Sequence, residues 1–245
     1  MPDEDRSSAD CLDDATKLDR RAFLKHATGL TFCITLTSIS GTAQRVLGGT
    51  DSGQSSSFQA NAWVNIAPDG LSTIVSPADE MGQGSFTALP LILAEELDAQ
   101  WDDVHIEFSP TDEKLYGNPG FFNLIYTAAS QSVKGYYTVL RLHGAQVRKI
   151  LMDAAAEHWN LPVNELTTEP STVLHRASGK QLTYGQIASF ANAPQSLPEI
   201  KESDLKSPSE FRLIGTDVHR RDVHNKVMGV PQYSFDINLP ITVHA

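Results

Sequence analysis

The stretch "PADEMGQGSFTALP" (77–90) sets Gly82 and Gly84 on either side of Gln83, after an apolar strand pattern and before an apolar helix pattern. Glycine lacks a Cβ, so the backbone here can take φ > 0 and come close to a ligand. A helix that follows presents unsatisfied N–H groups and the positive end of its dipole, and both favour an anion. Gln83 adds a donor and an acceptor at a fixed place. A G-x-G turn is also a plain tight connection between strand and helix, and the residues alone leave both readings open.

A second anion-friendly stretch is "TAASQSVKG" (127–135), which opens a long helical pattern with small residues and the hydroxyls of Thr127, Ser130 and Ser132. Its hydroxyls and backbone N–H groups could hold a phosphate, and ordinary helix capping by serine explains the same residues. No GxxxxGK pattern and no GxGxxG fingerprint is present, so ordinary nucleotide folds lose ground. His219 and His224 have no third ligand at metal spacing, and His105 sits on a strand pattern. No G-x-S-x-G elbow supports a nucleophilic serine.

The elements that must position these residues are legible. "AWVNIAPDGLSTIVSP" alternates on both sides of Pro68-Asp69-Gly70 and predicts a β-hairpin. "TALPLILAEELDA" has Leu89, Ile92, Leu93, Glu96 and Leu97 at helical spacing, with the helix expected to begin near Thr87 so that Pro90 falls in its first turn. "DDVHIEFSP" predicts a strand, which completes an α/β order. Residues 109–126 predict a surface loop. Ser130 to Trp159 predicts a long helix with Val133, Tyr137, Leu140, Val147, Leu151 and Ala154 sharing a broad face. A second hairpin turning at Ser178-Gly179 and a short helix follow. Residues 193–211 are rich in proline and charge and predict a linker at a domain boundary. Beyond it, strand-like pieces at 232–237 and 241–244 predict an unpaired edge, to be covered by another chain or by further sequence.

The 245 residues suffice for one large or two small domains. A formal charge of -11 argues against a nucleic-acid groove. The only cysteines, Cys11 and Cys33, precede the folded body, which excludes thiolate iron–sulfur ligation, a cysteine zinc site and a disulfide framework within it. In the leader, "LDRRAFLKHATGLTFCITLTSISGTAQ" pairs Arg20 with Arg21 ahead of a weakly apolar, Thr- and Ser-rich stretch. This resembles a twin-arginine export signal, which implies cleavage at the small residues ending at Ala43 and a periplasmic destination. A Gly- and Ser-rich linker follows it.

These motifs in this order resemble the molybdopterin-binding subunit of the xanthine dehydrogenase family, in its exported isoquinoline oxidoreductase and membrane-associated aldehyde dehydrogenase branch. They are the W-V-x-I-x-P-D-G hairpin (63–70), EMGQG (80–84), TAASQSVKG, LTYGQIA (182–188) and FRLIG…KVxG…FDIxLP (211–240). The resemblance implies an α/β (α+β) fold. Leader and linker occupy 1–60, a molybdenum-cofactor-binding domain of hairpins and helices 61–192, a linker 193–211, and the start of a β-rich, hammerhead-like domain 212–245.

It further implies that Gly82, Gln83 and Gly84 lie beside the molybdenum and its dithiolene, and that Ala129, Ser130 and Ser132 contact the pterin phosphate. The implied cofactor is molybdopterin cytosine dinucleotide, whose metal is held by the pterin sulfurs. Family members carry a Gly-Phe-Gly loop and a catalytic glutamate in several hundred further residues, so this chain is expected to be inactive alone. The implied partners are the remainder of the molybdopterin subunit and a 2Fe–2S subunit, and a membrane-anchored cytochrome c is admitted. The other reading is an exported, non-catalytic α/β fragment or interaction protein that has lost cofactor binding.

Overall fold

The computed structural model describes residues 62–192 and 197–237, together with the backbone of Leu30–Cys33. β2 (Ala62–Ile66) and β3 (Ser72–Ser76) form the expected antiparallel hairpin, with Val64 opposite Ile74 and Ile66 opposite Ser72. Its turn closes with Gly70 N–H donating to the Ala67 carbonyl, and Gly70 takes φ 98°. β1 (Leu30–Cys33), from the leader's apolar stretch, pairs antiparallel along β2. After α1 (Ser85–Leu97) the chain returns through β4 (Val104–Phe108), parallel to β3, so the sheet order is β1-β2-β3-β4. The glycine loop thus leaves the carboxyl end of β3, where ligands of open α/β sheets gather.

Helix α1 begins at Ser85, earlier than expected, and Pro90 lies inside it instead of in its first turn. Pro90 leaves the Phe86 carbonyl without its usual donor. The early start has a local cause, since a side chain from the preceding loop satisfies the first amides of the helix. Residues 109–126 are more ordered than a surface loop. They contain a short helix α2 (Glu113–Tyr116) and a 3₁₀ turn at Pro119–Phe121, with Tyr116 and Asn118 buried while Phe122 and Tyr126 are exposed.

α3 (Gln131–Trp159) is the expected long helix. Its buried side, however, is carried by Tyr136, Val139, Leu140, His143, Val147, Ile150 and Leu151, whereas Val133 is exposed and Tyr137 half-buried. The stripe is set by where α1 approaches. A Cβ added at Gly144 would lie 2.4 Å from the Leu93 carbonyl oxygen, so α1 crosses α3 at that glycine.

A second sheet joins β5 (Thr167–Glu169), β6 (Thr172–His175) and β7 (Lys180–Thr183), all antiparallel, and runs into α4 (Tyr184–Ala188) through a Thr183–Gln186 capping box. It is fastened to the end of α1 by Tyr184 Oη–H donating to the Leu97 carbonyl at 2.7 Å and Thr168 Oγ1–H to Asp98 at 2.7 Å.

The segment from 197 onward runs over this body. Lys206 Nζ reaches Glu95 and Asp98 at 3.2 and 3.0 Å, and the backbone N–H groups of Arg212, Leu213 and Ile214 converge on the buried Glu95 carboxylate. Its neighbour Glu96, also fully buried, takes the guanidinium of Arg141 at 2.6 Å. A last helix, α5, spans Val223–Val227. Residues 232–237 carry a 3₁₀ turn at Ser234–Asp236 in place of a strand, and 241–244 lie outside the described residues.

Candidate functional site

Gly82 and Gly84 take φ 105° and 87°, a left-handed backbone that other residues adopt only with strain. The amides they help to present do not face solvent. Glu80 folds back so that its Oε1 accepts from Gly82 N–H at 2.7 Å and Gly84 N–H at 3.0 Å, while Oε2 accepts from Phe86 N–H at 3.0 Å. The N-terminus of α1 is therefore capped from four residues ahead of Gly84, by a carboxylate whose side chain is only 4% exposed. Burial alone would raise the Glu80 pKa. The three N–H groups and the Arg220 guanidinium outweigh it and hold the carboxyl below its ordinary range.

Gln83 closes the same loop. Its Oε1 accepts from Met81 N–H at 2.6 Å, and its Nε2 donates to the Asp79 carbonyl and to Ser85 Oγ at 2.6 and 2.7 Å. From the far end of the chain Arg220 donates to the Gly82 carbonyl at 2.9 Å and to Glu80 Oε1 at 3.2 Å. Asp222 holds Arg220 at 2.7 Å and Lys226 at 2.6 Å, and Arg220's hydrogen bonds, with those of Lys226, keep its carboxyl down at about 2.

The serine loop is built differently. Ala129 and Ser130 both take left-handed backbone, with φ of 53° and 57°, and turn the chain into α3. The Ser130 side chain caps nothing, and no acid lies in the first turn of α3. Gln131 N–H donates to the Ala128 carbonyl, but the Ser132 and Val133 N–H groups find no acceptor among the described residues. Ala129 and Ser130 are exposed and Ser132 is half-buried.

One hydrogen bond and one shared cleft relate the loops. Asp79 N–H donates to Thr127 Oγ1 at 3.1 Å. Gly84 and Thr87 also face Val133 and Tyr137 across a largely apolar cleft of about 350 Å³, closed by Leu213, Ile214 and Val218. All six sequence-predicted residues thus sit at two adjoining loop-to-helix junctions, Ser132 already in the first turn of α3. One of those helix starts is filled by Glu80 and the other is open.

A model of the molybdopterin cofactor-binding domain matches residues 6–235 of this chain. The chain belongs to this family. Isoquinoline 1-oxidoreductase subunit beta of Brevundimonas diminuta is 35% identical over 95% of this chain and 33% of its own length. Membrane-bound aldehyde dehydrogenase of Gluconacetobacter polyoxogenes is 32% identical over 73% of this chain and 22% of its own. The chain therefore spans a third or less of these relatives. Among solved structures, quinoline 2-oxidoreductase from Pseudomonas putida 86 aligns with 51% of this chain and 15% of its own, at 23% identity and a TM-score of 0.41.

In this molybdopterin cofactor-binding domain, the motif reading overlooked Glu80, Arg220 and Lys226. Glu80 lies inside the quoted glycine motif, and its signal was an acid just ahead of a helix start. Arg220 and Lys226 carried no local signal, because their partner lies 140 residues or more away.

Proposed function

We propose that the chain supplies part of the molybdenum-cofactor site of an exported molybdenum hydroxylase, with molybdopterin cytosine dinucleotide as the cofactor. The rest of the site comes from further molybdopterin-subunit sequence, and electrons leave through a 2Fe–2S subunit. One observation carries this reading: the unaccepted Ser132 and Val133 N–H groups at the start of a 29-residue helix, next to the Ser130 and Ser132 hydroxyls. An oxyanion at that place would gain hydrogen bonds and the helix dipole together. A phosphate-bearing pterin fits this donor set.

When bound, the cofactor supplies two-electron oxidation at its metal. This chain's residues bind and orient it. Ala129, Ser130 and Ser132 would hold the phosphate, and the loop of Gly82, Gln83 and Gly84, fixed by Glu80 and Arg220, would present a shaped backbone surface across the shared cleft. The closure of Gln83 within its own loop favours the other reading, a structural turn without ligand contact. A variant decides between them for the phosphate end. Ser132→Pro deletes one of the open N–H groups, together with the Ser132 hydroxyl, in the first turn of α3, where no intrahelical hydrogen bond is lost. In the chain completed by the rest of the subunit, we expect this variant to retain less than a tenth of the molybdenum and releasable pterin of the wild type. Unchanged retention would overturn the assignment.

Export rests on Arg20 and Arg21, which lie outside the described residues. Replacing both by lysine is expected to leave the protein in the cytoplasm, and undiminished periplasmic recovery would remove the signal reading.

A further inference from the structure

The glycine loop contains a complete oxyanion receptor that is already filled from within. Three backbone N–H groups point at one spot, from Gly82, Gly84 and Phe86, and the cations of Arg220 and Lys226 close over it at 3.2 and 3.8 Å. Convergent amides at a helix start, backed by arginine and lysine, are what a free phosphate or sulfate would seek. The group that sits there is the Glu80 carboxylate. Being tethered a few residues away, it competes at a high effective concentration that a dissolved anion does not match. Helix α3 starts in the same cleft region with the opposite arrangement, since it has open amides, no acid in its first turn and no side-chain cap.

We propose that Glu80 is a specificity-determining residue: its carboxylate is the resident anion of the α1 start, and it bars phosphate from the glycine loop. The loop consequently offers a charge-compensated surface, suited to the neutral ring portion of a ligand, and phosphate is directed to α3. The assignment of phosphate to α3 rests on the function proposed above. The exclusion by Glu80 stands on its own contacts.

The test follows the backbone amides of the ¹⁵N-labelled full chain during titration with inorganic phosphate at constant ionic strength, alongside thermal melts. In the wild type, phosphate should leave the Gly82, Gly84 and Phe86 amides unmoved and shift those of Ser132 and Val133. In Glu80→Ala, phosphate should shift the three loop amides, bind there at least tenfold more tightly than at the same amides of the wild type, and raise Tm more than chloride does. Adding Arg220→Gln should weaken that new site. Should Glu80→Ala fail to fold, Glu80→Gln, which keeps the size and drops the charge, carries the same test with a smaller response. Phosphate shifts at the three loop amides of the wild type would overturn the proposal. So would their absence in a cooperatively melting Glu80 variant. Silent Ser132 and Val133 amides, with the Glu80→Ala response present, would remove the α3 assignment and uphold the role of Glu80.

Discussion

Glu95 Oε2 accepts the Leu213 N–H at 2.6 Å across 118 residues of sequence. The same oxygen takes the Arg212 and Ile214 N–H groups at 2.9 and 3.0 Å, so a fully buried carboxylate on α1 gathers the backbone of the FRLIG segment as an anion site gathers a ligand. That contact sets the segment's path toward Arg220 and hence toward the glycine loop.

Removing this carboxylate strands the Arg212, Leu213 and Ile214 N–H groups and takes one of the anionic partners of Lys206, which keeps Asp98 and the Glu95 carbonyl. Glu95→Ala is expected to lower stability by about 3–5 kcal/mol, the range for breaking a buried charge arrangement from one side. It should also expose residues 206–222 to protease before the rest of the body. Denaturant melts and timed proteolysis read both effects. A loss below 1 kcal/mol would show that the segment is held by its side chains instead.

Gly135 predicts a steric effect. A Cβ there would lie 1.9 Å from Asn118 Oδ1, and Asn118 is fully buried, bonding the Gln131 carbonyl and the Gly120 N–H at 2.9 Å each. Gly135→Ala should cost about 1–3 kcal/mol by overpacking. Since both positions share one contact, Gly135→Ala with Asn118→Ala should cost less than the two single changes summed, by at least about 0.5 kcal/mol. Strict additivity in the melts would refute the contact.

His143 gives the chain a pH dependence of known sign. Burial holds its pKa down at about 4, with Trp63 stacked on the ring at 5.1 Å. The unfolded chain takes up this proton near pH 6.5 and the folded chain only near 4. Stability should therefore be fully present above 6.5, fall as pH drops between those values, and level off below about 4. At ~1.4 kcal/mol per pH unit the total is ~3 kcal/mol. His143→Gln should flatten this part of a Tm-against-pH curve, and a wild-type curve already flat from pH 7 to 4.5 would contradict the assignment.

In the glycine loop the backbone and the side chain should separate. A Cβ at Gly82 meets nothing within 4 Å, so Gly82→Val suffers from its φ of 105° alone and remains foldable. It should nonetheless abolish molybdenum retention in the completed complex. Gln83→Ala removes hydrogen bonds within an exposed loop and should lower stability by only about 1 kcal/mol. It should keep much of the metal and reduce turnover. Metal content and rate unaffected by Gln83→Ala would leave Gln83 a structural turn residue.

Local chemistry made several elements legible in the sequence. The Pro68-Asp69-Gly70 hairpin, the helix ending at Trp159, the turn at Ser178-Gly179 and the pairing of glycine and serine loops with helix starts all follow from turn residues and period, which act over a few positions. The ordered motifs likewise sufficed to recognise the molybdopterin cofactor-binding family. Tertiary structure decided what distance hides. The start of α1 at Ser85 depends on Glu80 folding back, and the buried stripe of α3 depends on where α1 meets Gly144. The path of residues 206–222 depends on Glu95 and Glu96, two charges that a linear reading cannot pair with an arginine 45 residues on or with a backbone segment more than a hundred residues on. Above all, the sequence offers the two helix starts as equal anion sites, and only the folded chain distinguishes them: one carboxylate and two distant cations fill the first, and no described acceptor reaches the second.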